Sequence, residues 1–207
     1  MRIGIFGGSF DPIHQGHLII AEQCREKADL DQVWFVPCAM NPHKRDGAQG
    51  TDRQRKEMIE LALAGHEPFR ISTVELDRGG VSYTVDTLTT FSQTYPDDDL
   101  FLLMGDDSLE SFERWKEPET ICQLATPLIV NRPGSGEVDL SVLEPFIQGA
   151  DFDQLKTSQV ECPRIEISST EIRRRIAAGE SVRFMLPRSV ERYIQTQRLY
   201  QTQTSKN

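Results

Sequence analysis

The sequence is short of positive charge. Its 207 residues carry 23 Lys and Arg against 32 Asp and Glu, a net charge of −9 at pH 7. A general nucleic-acid binder needs a basic surface to displace counterions, so that class is excluded. A small anionic ligand is not, because a few cations focused in one cleft suffice. Long apolar runs are absent as well. None reaches the roughly 18 residues of a membrane span, so no membrane association is expected. Residues 3–6 are too short for a signal-peptide core and Gly7 interrupts them, which makes the cytoplasm the expected location. Cysteine is scarce: Cys24, Cys38, Cys122 and Cys162 contain no C-x-x-C pair and match neither a zinc site nor a disulfide scaffold. Idle, reduced thiols are the expectation. There are only four histidines, and two of them fall in one turn.

What is present is an ordinary globular composition, 38% hydrophobic and 27% charged. Apolar runs at residues 3–6, 33–36, 71–74, 100–104, 128–130 and 165–167 read as strands. Amphipathic segments at about 16–27, 52–64, 84–94 and 108–115 alternate with them. The alternation predicts an α/β fold, a Rossmann-like open parallel sheet with helices on both faces. Several strands are continuously apolar, as strands covered on both sides should be. Residues 1–200 read as a single domain, with 137–163 as an insertion or lid and 201–207 as a frayed tail. Residues 41–50 and 131–136 read as loops. Open parallel sheets bind ligands at the carboxyl ends of their strands. The segments to inspect are therefore 7–17, 37–44, 105–108, 131–134 and 168–173.

Gly7-Gly8 follows the first strand. Glycine lets a backbone approach a phosphate, but a plain tight turn would use it too. The pair belongs to neither a G-x-G-x-x-G fingerprint nor a P-loop. His14-Gln15-Gly16-His17 carries more. The histidines stand at i and i+3 on one helix face, with Pro12 helping to set the helix start. Both lie beside the positive end of the helix dipole. The arrangement suits imidazole N–H donation to a polyphosphate. A zinc site would need a third ligand, and none stands at a plausible spacing.

The second informative stretch is ISSTEIRRRI, residues 167–176. Ser168 and Glu171 have the spacing of a capping box. Arg173 falls early in that helix, where the dipole disfavours a cation, so a bound anion accounts for it better. Ser169 and Thr170 add hydroxyl donors. Arg174 and Arg175 read as solvated, and Gly179 as a C-cap. By themselves, Lys44 reads as a loop lysine, Trp115 as core, and Tyr83-Thr84 as a helix start.

Together these pieces resemble the nucleotidyltransferase superfamily that carries H-x-G-H early and S/T-x-x-x-R late. More narrowly, the chain resembles the bacterial nicotinate mononucleotide adenylyltransferases. GGSFDPIHQGHL, NPHK, VSYTVDTL, MGDDSLESFERW, NRPG and ISSTEIRRRI follow that family's order nearly end to end. The resemblance implies ATP and nicotinate mononucleotide as substrates, nicotinate adenine dinucleotide and pyrophosphate as products, and Mg²⁺ carried by the ATP phosphates, with no metal site in the protein. It implies catalytic roles for His14, His17, Lys44 and Arg173, with His17 nearer the reacting phosphorus. It implies ATP contacts at Gly8, Ser9, Phe10, Gly105, Asp107, Ser168 and Thr170. The mononucleotide would meet Gly7, Lys44, Tyr83, Thr84 and Trp115, with Trp115 stacked on the pyridine ring. Ser9 stands where threonine is common, and Asp106 where a small residue is common. Competing expectations are an amide-preferring or dual-specificity adenylyltransferase, a relative using phosphopantetheine or glycerol phosphate, and an inactive nucleotide sensor. Oligomeric state is left open, a homo-oligomer included.

Overall fold

The computed structural model describes residues 1–40, 47–131, 138–147, 155, 159–163 and 165–202. Six strands form one sheet: β1 (Arg2–Gly8), β2 (Gln32–Pro37), β3 (Phe69–Ile71), β4 (Asp99–Gly105), β5 (Thr126–Asn131) and β6 (Val160–Glu161). Their order is β3-β2-β1-β4-β5-β6, and neighbouring strands run parallel. The chain winds outward from β1 in one direction and from β4 in the other. The switch point therefore falls between β1 and β4, where open α/β sheets bind ligands.

Side chains alternate across the sheet, and both faces are covered. On β1, Ile3 and Ile5 enter one core cluster while Phe6 packs on the other. On β4, Leu100, Leu102 and Met104 face one way and Phe101 and Leu103 the other. This period-two division explains the continuous apolar runs. Burying one such side chain contributes roughly 1.5–3 kcal/mol.

Helices α1 (Gln15–Lys27), α2 (Asp52–Leu63), α7 (Ser169–Ala177) and α8 (Arg188–Gln197) cover one face, contributing Ala21, Met58, Ile172 and Ile194. The other face takes α4 (Thr84–Thr94) and α6 (Pro118–Leu124), through Leu88 and Ile121. Short helices α3 (Val74–Arg78) and α5 (Asp106–Leu109) lie at strand ends. Among the described residues no helix is long and apolar enough to cross a membrane.

The pairing of β1 opens the site. β1 pairs with β2 as far as Gly8↔Pro37, but its register with β4 ends at Ile5↔Leu102. The strands part there, just before both reach their glycines.

Several elements differ from the sequence reading. The run at 71–74 divides, with Ile71 ending β3 and Val74 opening α3. The run at 165–167 is not a strand; the sixth strand is the two-residue edge Val160–Glu161, and Ile167 packs on a core cluster instead. A short apolar run cannot by periodicity alone announce which state it takes. The helix expected at 108–115 is split into α5 and a 3₁₀ turn, Phe112–Arg114. Within 137–163, a 3₁₀ turn at Leu140–Leu143 buries Leu140 and Leu143 in the core. The loop residues 41–46 and 132–137 and the tail 203–207 lie outside the described residues.

Candidate active site

The two glycines that end β1 do different work. A Cβ on Gly8 would stand 3.0 Å from Phe10 Cζ, so Gly8 makes room for that buried ring. Phe10 reaches this place with φ at 46°, an uncommon conformation for a residue with a side chain. A Cβ on Gly7 would meet nothing within 4 Å. Its bare backbone instead faces a cavity.

His14 is the N-cap of α1 and His17 stands three residues later. The His14 N–H donates to His17 Nδ1 at 3.2 Å. That bond makes Nδ1 an acceptor, so the neutral ring carries its proton on Nε2. The two imidazoles stack, with centroids 3.7 Å apart and planes at 23°. His14 is buried, and burial pushes its pKa down to about 4. Its Nδ1 is buried with no hydrogen-bond partner among the described residues. A Cβ at position 16 would stand 3.0 Å from that Nδ1 and 3.3 Å from Ile165 Cγ2. Gly16 is therefore what lets the His14 ring fold over the helix start.

α7 meets this turn from across the chain. Ser168 caps it, its Oγ accepting the Glu171 N–H at 3.1 Å. The Glu171 carboxylate turns to Arg174 Nε and Nη2, both at 2.8 Å, in place of the return half of the expected capping box. Ser169, read as a donor for ligand, donates to Pro12 O at 3.0 Å and pins α7 to the histidine turn. Arg173 Nη1 donates to Asp11 O at 2.7 Å, while its Nε is buried with no partner among the described residues. The cation expected to face an anion thus meets both the carbonyl and, at 3.7 Å, the carboxylate of Asp11, and keeps one buried donor uncommitted among the described residues. Ser168 and Thr170 are exposed beside it.

A cavity of about 500 Å³ opens at the switch point. Gly7, Gly8, Tyr83, Thr84, Asp107 and Trp115 all line it. Tyr83 is the N-cap of α4 and Thr84 its first residue, so first-turn N–H groups of that helix lack intrahelical acceptors at the cavity wall. Trp115 lies half-buried against Phe112, with ring centroids 5.4 Å apart, and its Nε1 donates to Ser111 Oγ at 3.4 Å. Gly105 ends β4 and caps α5. The Asp107 N–H on that turn donates to Asp106 Oδ1.

The expected residues therefore form two adjoining groups. Gly7, Gly8, Tyr83, Thr84, Asp107 and Trp115 share the cavity. His14, His17, Ser168, Thr170 and Arg173 stand at the α1–α7 junction, and Ser9 and Phe10 run between the groups. Lys44 lies outside the described residues. No group of three or more His, Cys, Asp or Glu could hold a metal among the described residues. A second cavity, about 570 Å³, lies at the amino ends of the strands near Arg2, Asp99 and Thr126. None of the expected residues is there.

Sequence reading missed the supports. Arg55 is fully buried and donates to Ser9 O at 2.8 Å, Cys38 O at 2.7 Å and Asp52 Oδ1 at 2.6 Å. Asp11, also buried, accepts the N–H groups of Gln49 and Gly50. Glu75 accepts the Thr87 hydroxyl at 2.6 Å. Lys116 stands 3.0 Å from Asp86 and 4.9 Å above the Tyr83 ring. Neither Arg55, within the expected helix at 52–64, nor Glu75, just past the expected strand at 71–74, was singled out from the sequence. The one usable signal was Asp11, inside the GGSFDP motif.

Residues 5–175 match the family model described as cytidylyltransferase-like. The chain is 45% identical over 202 residues to a protein of Thermus thermophilus, covering 97% of this chain and 100% of that one. It is 42% identical over 201 residues to one of Thermomicrobium roseum, covering 97% and 92%. Both carry the name "Probable nicotinate-nucleotide adenylyltransferase". The fold is similar to that of Plasmodium falciparum nicotinic acid mononucleotide adenylyltransferase complexed with NaAD, with a TM-score of 0.74 and 21% identity over 96% of this chain and 97% of that one.

Proposed function

The chain belongs to the cytidylyltransferase-like family and, within it, to the nicotinate-nucleotide adenylyltransferases, and from that premise we propose how its site works. The enzyme transfers the adenylyl group of ATP to nicotinate mononucleotide, giving nicotinate adenine dinucleotide and pyrophosphate in NAD biosynthesis.

The mononucleotide phosphate is already a nucleophile, so no general base is required. The difficulty is bringing two polyanions together and stabilising the charge of an in-line transition state. The α1–α7 junction supplies donors for that charge. His17 offers Nε2–H, fixed in direction because Nδ1 is held by the His14 backbone. His14, kept neutral by burial, supports the stack and contributes its ring edge. Arg173 adds a guanidinium, and Ser168 and Thr170 add hydroxyls. Such donors gain strength where water is excluded. Lys44, in the loop after β2, would contact the mononucleotide phosphate.

The cavity recognises the other substrate. Trp115 stacks on the pyridine ring, Gly7 lets the nucleotide approach the backbone, and the α4 N-terminus at Tyr83 and Thr84 receives the nicotinate carboxylate. Mg²⁺ carried by the ATP phosphates would neutralise part of their charge. The donor set suits that division, being N–H and O–H groups that bind phosphate oxygen. The soluble substrates fit a cytoplasmic enzyme.

The observation that carries this reading is the stacked His14–His17 pair beside a cavity walled by Trp115 and the α4 N-terminus. One observation favours amide acceptance: the Glu75 carboxylate lines the same cavity. That charge is engaged by Thr87, and Arg114 and Lys116 oppose it from the same cavity wall. The test is pyrophosphate release with ATP and Mg²⁺, comparing nicotinate mononucleotide with its amide. A large kcat/KM advantage for the acid is expected. Equal values would establish dual specificity, and ATP binding without release would make the chain a sensor.

A further inference from the structure

Asp11 lies beside the histidine turn and is only 3% exposed. Three distant segments converge on it. Its Oδ2 accepts the Gln49 N–H at 2.7 Å, and its Oδ1 accepts the Gly50 N–H at 2.9 Å and the Tyr200 hydroxyl at 2.7 Å. Its carbonyl accepts Arg173 Nη1 at 2.7 Å, and the same Nη1 lies 3.7 Å from Oδ2. A buried carboxylate must be this fully satisfied to be tolerated.

We propose that Asp11 and Tyr200 are a positioning pair, through which the segment following α8 orients Arg173 and residues 49–50 at the phosphate side of the site. This rests on Arg173 facing the triphosphate, as argued above.

The seat for the Tyr200 hydroxyl is shaped for it. A Cβ at Gly50 would meet Asp11 Oδ1 at 2.9 Å and Tyr200 Oη at 3.2 Å, so no other side chain fits there. The chain enters left-handed conformations at Arg198 (φ 53°) and again at Tyr200 (φ 62°). Residues with a Cβ adopt these only when their surroundings hold them. Burial, then Asp11, raises the Tyr200 pKa above its ordinary value, so the hydroxyl keeps its proton and stays a donor. With Asp11 held from that side, its carbonyl fixes Nη1 of Arg173 and leaves the buried Nε as the uncommitted donor.

Tyr200→Phe removes one hydroxyl and keeps the ring. The probe is inorganic triphosphate with Mg²⁺, its Kd read by calorimetry on the full chain. Tyr200→Phe is expected to weaken this binding about three- to tenfold, the range for one lost hydrogen bond, alongside a modest fall in Tm from the lost donor to buried Asp11. The KM for nicotinate mononucleotide should stay near that of the parent. A double-mutant cycle with Arg173→Lys should be non-additive, because the hydroxyl acts through that arginine. Unchanged triphosphate affinity, strictly additive losses, or a fall in Tm without a change in Kd would each overturn the proposal. Asp11→Asn should weaken binding more, since an amide turns a donor toward donors. If that variant does not fold, Tyr200→Phe decides alone. Turnover is a separate readout: failure of the parent to use nicotinate mononucleotide would fail the function reading, while the triphosphate comparison still decides the coupling.

Discussion

At the phosphate side, the holding contacts span most of the chain. Arg173 reaches Asp11, Ser169 reaches Pro12 and Tyr200 reaches Asp11, across 162, 157 and 189 residues. Around the cavity the spans are shorter. Thr87 bonds Glu75 twelve residues away, Trp115 bonds Ser111 four away, and Lys116 bonds Asp86 thirty away. The first set ties the H-x-G-H turn to the last third of the fold. It can be altered only with cost to both. The second joins residues 75–87 to 111–116, and substitutions there should leave the phosphate-side contacts in place. Under the proposed roles charge handling and ring recognition are separable, and substitutions should separate them.

The largest expected effect is on the phosphate side. His17→Ala should lower kcat about 10²–10³-fold, the loss expected for one transition-state donor. Steady-state kinetics with near-normal turnover would break the division at once. Next comes the support beneath it. Arg55→Met leaves the Ser9 and Cys38 carbonyls buried without their donor, and should cost about 3 kcal/mol of stability in denaturant unfolding. A loss below about 1 kcal/mol would mean those carbonyls find other partners.

A pH prediction follows from His14. Burial pushes its folded pKa down to about 4 from the ordinary 6.5. Below 6.5 the unfolded chain binds a proton that the folded chain refuses. Stability from this group is therefore whole above about 6.5 and lost as pH falls toward 4, about 3 kcal/mol in all. Tm measured across that window should fall less steeply in His14→Gln. An unchanged slope would place the acid sensitivity elsewhere.

The cavity side should respond more gently. The Lys116 side chain is 41% exposed and already paired with Asp86. Lys116→Gln should raise the KM for the acid about threefold, as fits an exposed, screened charge. It should barely affect the amide, narrowing the ratio of their kcat/KM values.

The parts legible in the sequence were those governed by local pattern. Alternating strands and helices gave the sheet, and α4 falls where its apolar spacing put it. His14 and His17 stood out because histidine is scarce and the two flank Gly16 in one turn. Asp11 had a visible motif but no visible partners, since Gln49, Arg173 and Tyr200 meet it only after folding. Arg55 carries no sign in sequence that its polar helix face turns inward to two carbonyls. Val160–Glu161 is too short for any period to register, and Ile165–Ile167 mimicked it nearby. Local chemistry was readable; contacts closed by the fold were not.

The most direct test of the division is Trp115→Ala with both substrates varied. Base stacking on an aromatic ring is worth about 1–3 kcal/mol. The KM for nicotinate mononucleotide should therefore rise roughly tenfold or more, while the KM for ATP stays within about twofold. Equal losses for both substrates would contradict a separate recognition cavity and make the two sides one.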